Sequence, residues 1–116
     1  RDAQESRGLG DVYKRQGHDL PLTHELFDFA ETIFDVLESR VVTLTKKTED
    51  KGVRLTFPDM PYLIVWSKPE GDFVAVEPWG GLSTCSDEDD VLEHKRGCLV
   101  AKPKETVVRS FTIEIL

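Results

Sequence analysis

The sequence predicts an all-β fold, mainly antiparallel, with one short helical segment near the N-terminal end. Short stretches rich in β-branched and aromatic residues recur along the chain, and clusters of glycine, proline and polar residues separate them. Several of these stretches alternate apolar and polar side chains, as strands with one buried face do. Strands at such short spacing are typical of a β-sandwich or of part of one.

The first apolar segment admits two interpretations. Leu26, Phe29, Ile33 and Leu37 recur at helical spacing, but other apolar residues between them blur that stripe. A short helical turn followed by an extended segment therefore fits the pattern as well as one continuous helix does.

Six strands are predicted beyond this segment. Residues 41–46 and 53–57 flank a polar turn, so we expect them to pair as a hairpin. The remaining predicted strands cover residues 62–67, 73–77, 97–101 and 107–115. A long acidic loop is predicted over residues 80–95.

Composition excludes several classes of protein. The net charge of −7 argues against a surface for nucleic acid or for an anionic membrane, both of which require clustered lysine and arginine. The sequence has no apolar run long enough to span a membrane. Its two cysteines, Cys85 and Cys98, make no disulfide framework, which favours a reduced, cytoplasmic setting.

The first sixteen residues are expected to lie outside the domain. Residues 1–16 are polar and show neither a helical nor a strand period. Within them, DVYKRQ at residues 11–16 resembles the in-frame translation of a transposon-end adapter used in sequencing libraries. The alternative is a natural disordered tail. We therefore predict an adapter-derived stretch over residues 1–16 and the domain over residues 17–116.

The stretch FVAVEPWGG, residues 73–81, carries the leading candidate for acid–base chemistry. An apolar run leads into Glu77, and Pro78 lacks the N–H that a sheet ladder needs, which predicts that the strand ends at or near Glu77. A carboxylate at the end of a buried strand is partly desolvated, and this makes it a better proton acceptor near neutral pH. The alternative is a strand-end glutamate that faces water.

Two tryptophans and a lysine are the leading candidates for ligand binding. Aromatic rings stack on the C–H face of sugars, and Trp79, between a proline and two glycines, is less easily explained by packing alone. Trp66 lies within an apolar strand, so a place in the core is the alternative for it. Lys68, in the following turn, is suited to contact a hydroxyl or a phosphate, or else simply faces solvent.

No metal site is predicted. Cys85, His94 and Cys98 lack the paired-cysteine spacing of a zinc site and offer only three ligands. The acidic run at residues 87–90 lacks the alternating ligands and the central glycine of a calcium-binding loop.

Four motifs occur in order along the second half of the chain. They are PYL at residues 61–63, WSKP at residues 66–69, the run from Phe73 through EPW to Gly81, and LEHK at residues 92–95 with Gly97. Together they resemble the C-terminal part of the aldose 1-epimerase family and are closest to the branch of the LacX-like proteins. The segment from Leu22 to Leu44 is similar to the part that precedes them there.

The resemblance implies a galactose-mutarotase-like β-sandwich that binds a hexose or hexose phosphate and interconverts its α and β anomers. It implies neither a metal nor an organic cofactor. In that family a glutamate takes the proton of the anomeric hydroxyl while a histidine protonates the ring oxygen, and by motif position Glu77 corresponds to the glutamate. An acidic residue that contacts sugar hydroxyls is expected near residues 28–31, which makes Asp28 a candidate.

The chain departs from the family pattern in two respects. The family's domain is much longer, and its histidine lies upstream in a Gly-x-His-Pro type of motif that is absent here. Gly80 also stands where an aromatic residue is common. We therefore expect a C-terminal fragment that keeps the base, lacks the acid and is close to inactive by itself. The alternative is a non-catalytic carbohydrate-binding module that uses the two tryptophans.

Overall fold

Residues 19–116 are described by the computed structural model, and they form two three-stranded antiparallel sheets. The predicted adapter-derived stretch lies outside the described residues. Sheet A has the strand order β1-β4-β5 and sheet B the order β2-β3-β6. The strands are β1 (Thr32–Phe34), β2 (Val41–Thr45), β3 (Gly52–Thr56), β4 (Tyr62–Trp66), β5 (Ala75–Trp79) and β6 (Thr112–Ile115). The prediction of an all-β, antiparallel fold is confirmed.

The first apolar segment is a short helical turn followed by a strand, and the single-helix interpretation is wrong. One 3₁₀ turn covers His24–Phe27, and β1 begins five residues later. Phe27 and Ile33 are buried in two different apolar clusters. Instead of continuing as a helix, the chain extends into β1, which pairs with β4 and directs Ile33 to a cluster separate from that of Phe27.

The predicted hairpin is present. Strands β2 and β3 pair antiparallel, from Val41 opposite Thr56 to Thr45 opposite Gly52. Val42 and Leu55 face each other in this register and belong to the same apolar core. The period-two alternation in the sequence therefore identified the buried face of both strands.

The strand that carries Glu77 runs further than predicted. Strand β5 begins at Ala75, two residues later than predicted, and continues through Pro78 to Trp79, two residues past Glu77, at or near which it was predicted to end. Strand β5 is the last strand of sheet A, and it bonds to β4 on one side only. An edge strand tolerates proline because the missing N–H points away from the ladder. Glu77 consequently lies at the centre of the strand.

Two other predicted strands are wrong in whole or in part. Residues 97–101 form no strand, and of residues 107–115 only Thr112–Ile115 pair with a neighbour. Gly97 has a positive φ of 74°, which turns the chain where the predicted strand would begin. A second turn, closed by the Glu105 N–H and the Lys102 carbonyl, precedes the extended C-terminal arm.

The two faces of sheet A bury different sets of side chains. One face packs against sheet B through a core of Phe27, Leu55, Phe57, Met60, Leu63 and Val65. The other face carries a smaller cluster of Ile33, Tyr62, Ile64 and Leu82 with Trp79 against it. The residues of the candidate site lie on this second face. Within residues 19–116, no helix has the length and apolar content needed to cross a membrane.

Candidate functional site

The register of β4 against β5 gathers Glu77 and both tryptophans on one side of sheet A. Tyr62 lies opposite Trp79, Ile64 opposite Glu77, and Trp66 opposite Ala75. Residues directly opposite each other in an antiparallel pair, and those two apart along a strand, share a face. We call this side of the sheet the candidate face: Tyr62, Ile64, Trp66, Glu77 and Trp79.

Glu77 is half-buried at the centre of this face, and Trp79 holds its carboxylate. The indole Nε1–H of Trp79 donates a hydrogen bond of 2.9 Å to Oε2 of Glu77. Pro78, between the two residues, fixes one backbone dihedral of the segment that joins them. In the described part of the chain, Oε1 accepts no hydrogen bond, so one carboxylate oxygen is oriented and the other is left for a ligand.

An apolar surface lies beside the carboxylate. Ile64, across the ladder from Glu77, is only 2% exposed and packs with Ile33, Tyr62 and Leu82. Trp79 packs against the same cluster. The Trp79 ring therefore packs against the apolar cluster in addition to binding Glu77, so it is not fully exposed for stacking on a ligand.

Trp66 is the more accessible of the two tryptophans, and the core alternative for it is wrong. It is 37% exposed at the end of β4 and forms an edge-to-face pair with Phe73, with 5.5 Å between ring centroids. The turn between these two rings is closed by the Ser67 hydroxyl, which donates to the Phe73 carbonyl at 2.7 Å. An exposed, rigidly held aromatic pair is suited to stack against a sugar ring.

Lys68 and Asp28 do not belong to the candidate face. Lys68 lies exposed in the turn after β4, and within residues 19–116 its ammonium group makes no hydrogen bond or ion pair. Asp28 is exposed at the end of the first 3₁₀ turn, next to Phe27, which packs in the core between the two sheets. Their predicted contacts with a sugar remain predictions.

The acidic loop is internally bonded rather than loose. Glu88 accepts a hydrogen bond from the Cys85 backbone N–H and lies 3.2 Å from the Lys95 ammonium. The hydrogen bond from the Cys85 N–H, together with the nearby Lys95 ammonium, lowers the pKa of Glu88 below its usual value. Burial acts in the opposite direction, but its effect is smaller than that of the Cys85 hydrogen bond. At the end of the loop, Gly97 lies over the Tyr62 ring, where an added Cβ would be 2.7 Å from Cε2.

The two histidines in the described residues lie apart from the carboxylate of Glu77. His94 Nδ1 is 2.6 Å from Oδ2 of Asp89 in the acidic loop, and this contact lowers the pKa of Asp89. His24 lines a shallow pocket of about 310 Å³ together with Asp72 and Phe73. Neither histidine hydrogen-bonds Glu77 in residues 19–116.

No cluster of three metal-binding side chains occurs in the part of the chain that the structure describes. Cys85 is buried and Cys98 is exposed, and neither forms a disulfide there.

Tyr62, Phe73 and Gly97 were not singled out from the sequence as site residues. Tyr62 lies next to Trp79 because β4 pairs with β5, and Phe73 lies next to Trp66 because the turn after β4 folds back. Gly97 contacts Tyr62 from 35 residues further along the chain. A glycine at the end of a long loop was the available signal for the Gly97 turn, since positive φ favours glycine.

Comparison with known proteins gives two similar sequences, and neither a family model nor a solved structure matches the chain. The plasmid-encoded and the chromosomal LacX proteins of Lactococcus lactis subsp. lactis are each 41% identical to it over 98 residues. Those residues make up 84% of this chain and 33% of either relative, so the chain spans about a third of the length of the curated relatives it matches. The similarity supports homology to LacX proteins.

Proposed function

We propose that this chain is the C-terminal part of a sugar mutarotase of the aldose 1-epimerase type and supplies its general base, Glu77. The observation that carries the proposal is the oriented carboxylate: Trp79 binds Oε2 of Glu77 at 2.9 Å on a sheet face that also bears Trp66. The motif resemblance and the similarity to LacX proteins support the same assignment. With both cysteines of the described chain unpaired, we assign the protein to the cytoplasm.

In the proposed reaction, Oε1 of Glu77 accepts the proton of the anomeric hydroxyl of a hexose. The electron pair of that O–H bond forms the aldehyde as the ring C–O bond breaks, and the ring oxygen takes a proton from an acid. Rotation about the C1–C2 bond and the reverse steps close the ring on the other face. For the acid we propose the histidine that the resemblance expects upstream.

The alternative is a carbohydrate-binding module without catalysis. The exposed pair of Trp66 and Phe73 favours it, because stacking on an aromatic ring needs no acid or base. In that case Glu77 serves as a hydrogen-bond acceptor for a sugar hydroxyl.

The test has a binding part and a catalytic part. Titration of the chain with D-glucose and D-galactose, followed by tryptophan fluorescence, should show a response that Trp66→Ala removes. The longer gene is recovered by resequencing the source DNA upstream of the Gly17 codon with an adapter-free library. In the protein that it encodes, Glu77→Gln should lower kcat for anomerisation by about 100- to 10,000-fold, as general base catalysis typically contributes.

The outcomes separate the candidates. Loss of turnover with retained sugar binding in Glu77→Gln supports the enzyme. Sugar binding without turnover in either form supports the module. Tryptophan fluorescence that responds to neither hexose contradicts both.

A further inference from the structure

The acidic loop leaves the end of β5 and returns to the candidate face. Gly81 and Gly97, at the two ends of the loop, lie against each other: a Cβ added to Gly97 would be 3.1 Å from the Cα of Gly81. The same added Cβ would be 2.7 Å from Cε2 of Tyr62. Compact surface loops whose ends meet in this way are frequently functional.

Both ends of the loop rest on the apolar cluster beside Trp79. Leu82 is buried against Tyr62 from the start of the loop, and Gly97 lies over the same ring from its end. Tyr62 lies opposite Trp79, whose ring packs against the cluster that Tyr62 and Leu82 share. Because closely packed side chains restrict one another, the closed loop restricts the indole that binds Glu77.

The carboxylate of Glu88 keeps the loop closed. Its Oε2 accepts hydrogen bonds from the Cys85 N–H at 3.1 Å and from the Lys95 ammonium at 3.2 Å. Its Oε1 accepts one from the Arg96 N–H at 3.4 Å. The Lys95 ammonium also donates to the Thr84 hydroxyl at 3.0 Å. One carboxylate and one ammonium therefore join the first part of the loop to its last part.

The ion pair of Glu88 and Lys95 is better shielded from water than its neighbour in the same loop. The Lys95 and Glu88 side chains are 24% and 13% exposed, whereas those of Arg96 and Asp87, 3.3 Å apart, are 43% and 70% exposed. Exposed ion pairs contribute little, but a shielded charge that loses its partner is unfavourable. Loss of the first pair should therefore open the loop, and loss of the second should not.

We propose that the Glu88–Lys95 ion pair is a positioning pair for the general base. By keeping the acidic loop closed, it holds Tyr62 and Trp79 in the arrangement in which the indole orients the Glu77 carboxylate. Within residues 19–116 neither member of the pair bonds Glu77, so both act through Trp79. The catalytic consequence rests on the proposed function, whereas the effect on the indole can be measured without a substrate.

The first test follows the Trp79 indole N–H by NMR in the full 116-residue chain. Glu88→Gln removes the charge and keeps the shape of the side chain. It should shift the Trp79 resonance upfield and speed its exchange with water by about 2- to 10-fold, the range that a typical net hydrogen-bond strength spans. Asp87→Asn is the matched control, because it makes the same change of charge in the exposed pair of the same loop and should leave the resonance in place.

Two further variants keep the test decisive if Glu88→Gln does not fold. Lys95→Arg retains the ion pair and should leave the Trp79 resonance in place. Thr84→Val removes only an exposed hydroxyl that binds the Lys95 ammonium, and it should shift the resonance upfield by a smaller amount. If Glu88→Gln is unfolded, an unmoved resonance in Thr84→Val would overturn the proposal.

The second test measures anomerisation in the longer protein recovered from the source DNA. Glu88→Gln should lower kcat about 10-fold and leave KM within about 2-fold, since displacing a catalytic group by about 1 Å can cost up to 100-fold. In the Glu77→Gln background the same substitution should cause no further loss, because the base that it positions is absent. A merely structural effect would lower kcat in both backgrounds.

The outcomes separate this inference from the proposed function. A Trp79 resonance that Glu88→Gln leaves unmoved, or that Asp87→Asn moves equally, would overturn the positioning role. An equal loss of kcat in both backgrounds would overturn it as well. If Glu77→Gln itself leaves kcat unchanged, the proposed function fails, and the indole resonance still decides whether the pair orients the carboxylate.

Discussion

The hydrogen bond between Trp79 and Glu77 gives the sharpest quantitative prediction. Trp79→Phe keeps an aromatic ring against Tyr62 and Leu82 but removes the donor that binds Oε2 of Glu77 at 2.9 Å. Hydrogen bonds to charged groups contribute about 1.5–3 kcal/mol, and partial exposure lets water replace the donor, so we expect a coupling energy of about 1 kcal/mol.

A double-mutant cycle isolates this coupling. The free energy of unfolding is measured by urea denaturation for the parent chain, Trp79→Phe, Glu77→Ala and the double variant. Trp66→Phe is the matched control, because it makes the same change on the same sheet face, where the indole has no hydrogen-bond partner in the described residues. Its coupling to Glu77→Ala should lie within about 0.3 kcal/mol of zero.

A second measurement does not depend on a cooperative unfolding transition. The two indole N–H resonances are assigned by NMR, and Glu77→Ala should shift the Trp79 resonance upfield and speed its exchange with water while leaving that of Trp66 in place. Equal coupling energies for the two tryptophans, together with an unmoved Trp79 resonance, would refute the orienting role of the indole.

Three further predictions concern the loop beside the candidate face. Gly97→Ala should lower the free energy of unfolding, measured by urea denaturation, by about 2 kcal/mol. The positive φ of Gly97 costs an L-residue about 1–2 kcal/mol, and the new Cβ would clash with the Tyr62 ring. An unchanged midpoint of the urea transition would contradict this. Gly80→Tyr should change the free energy of unfolding by less than about 0.5 kcal/mol, since no atom lies within 4 Å of a Cβ at that position. The added aromatic ring should also enlarge the fluorescence response to hexoses. The lowered pKa of Glu88 stabilises the loop fully above about pH 4.3, the usual value of a glutamate, and this contribution is lost as the pH falls through the folded pKa. The protection of the Cys85 amide, measured relative to its intrinsic exchange rate at each pH, should therefore fall in acid, and Glu88→Gln should remove that pH dependence.

Local patterns in the sequence predicted the strands that pair within one hairpin and failed where pairing depends on distant segments. The alternation over residues 41–57 identified β2, β3 and their buried face. Residues 97–101 have the composition of a strand, yet they pair with no neighbour in the described chain. Strand propensity describes how well side chains fit a half-buried surface, and a segment with high propensity forms a strand only where a neighbouring strand is available to pair with it.

The same distinction holds for the candidate site. Glu77 and Trp79 are two residues apart, so their common face follows from the period of a strand. The position of Trp66 near them does not, because it depends on β4 pairing with β5 in one register. Pro78 misled the prediction since its effect on a strand depends on whether the strand is central or at an edge.

By itself, the sequence determined the all-β class, the β2–β3 hairpin and the neighbourhood of Glu77 and Trp79, because each depends on residues that are close along the chain. The tertiary structure alone decided that β5 is an edge strand and that Trp66 is exposed beside Phe73. It alone also decided that Oε2 of Glu77 is bonded while Oε1 is available. These features depend on strand order and register, which arise from contacts between distant segments that no local pattern encodes.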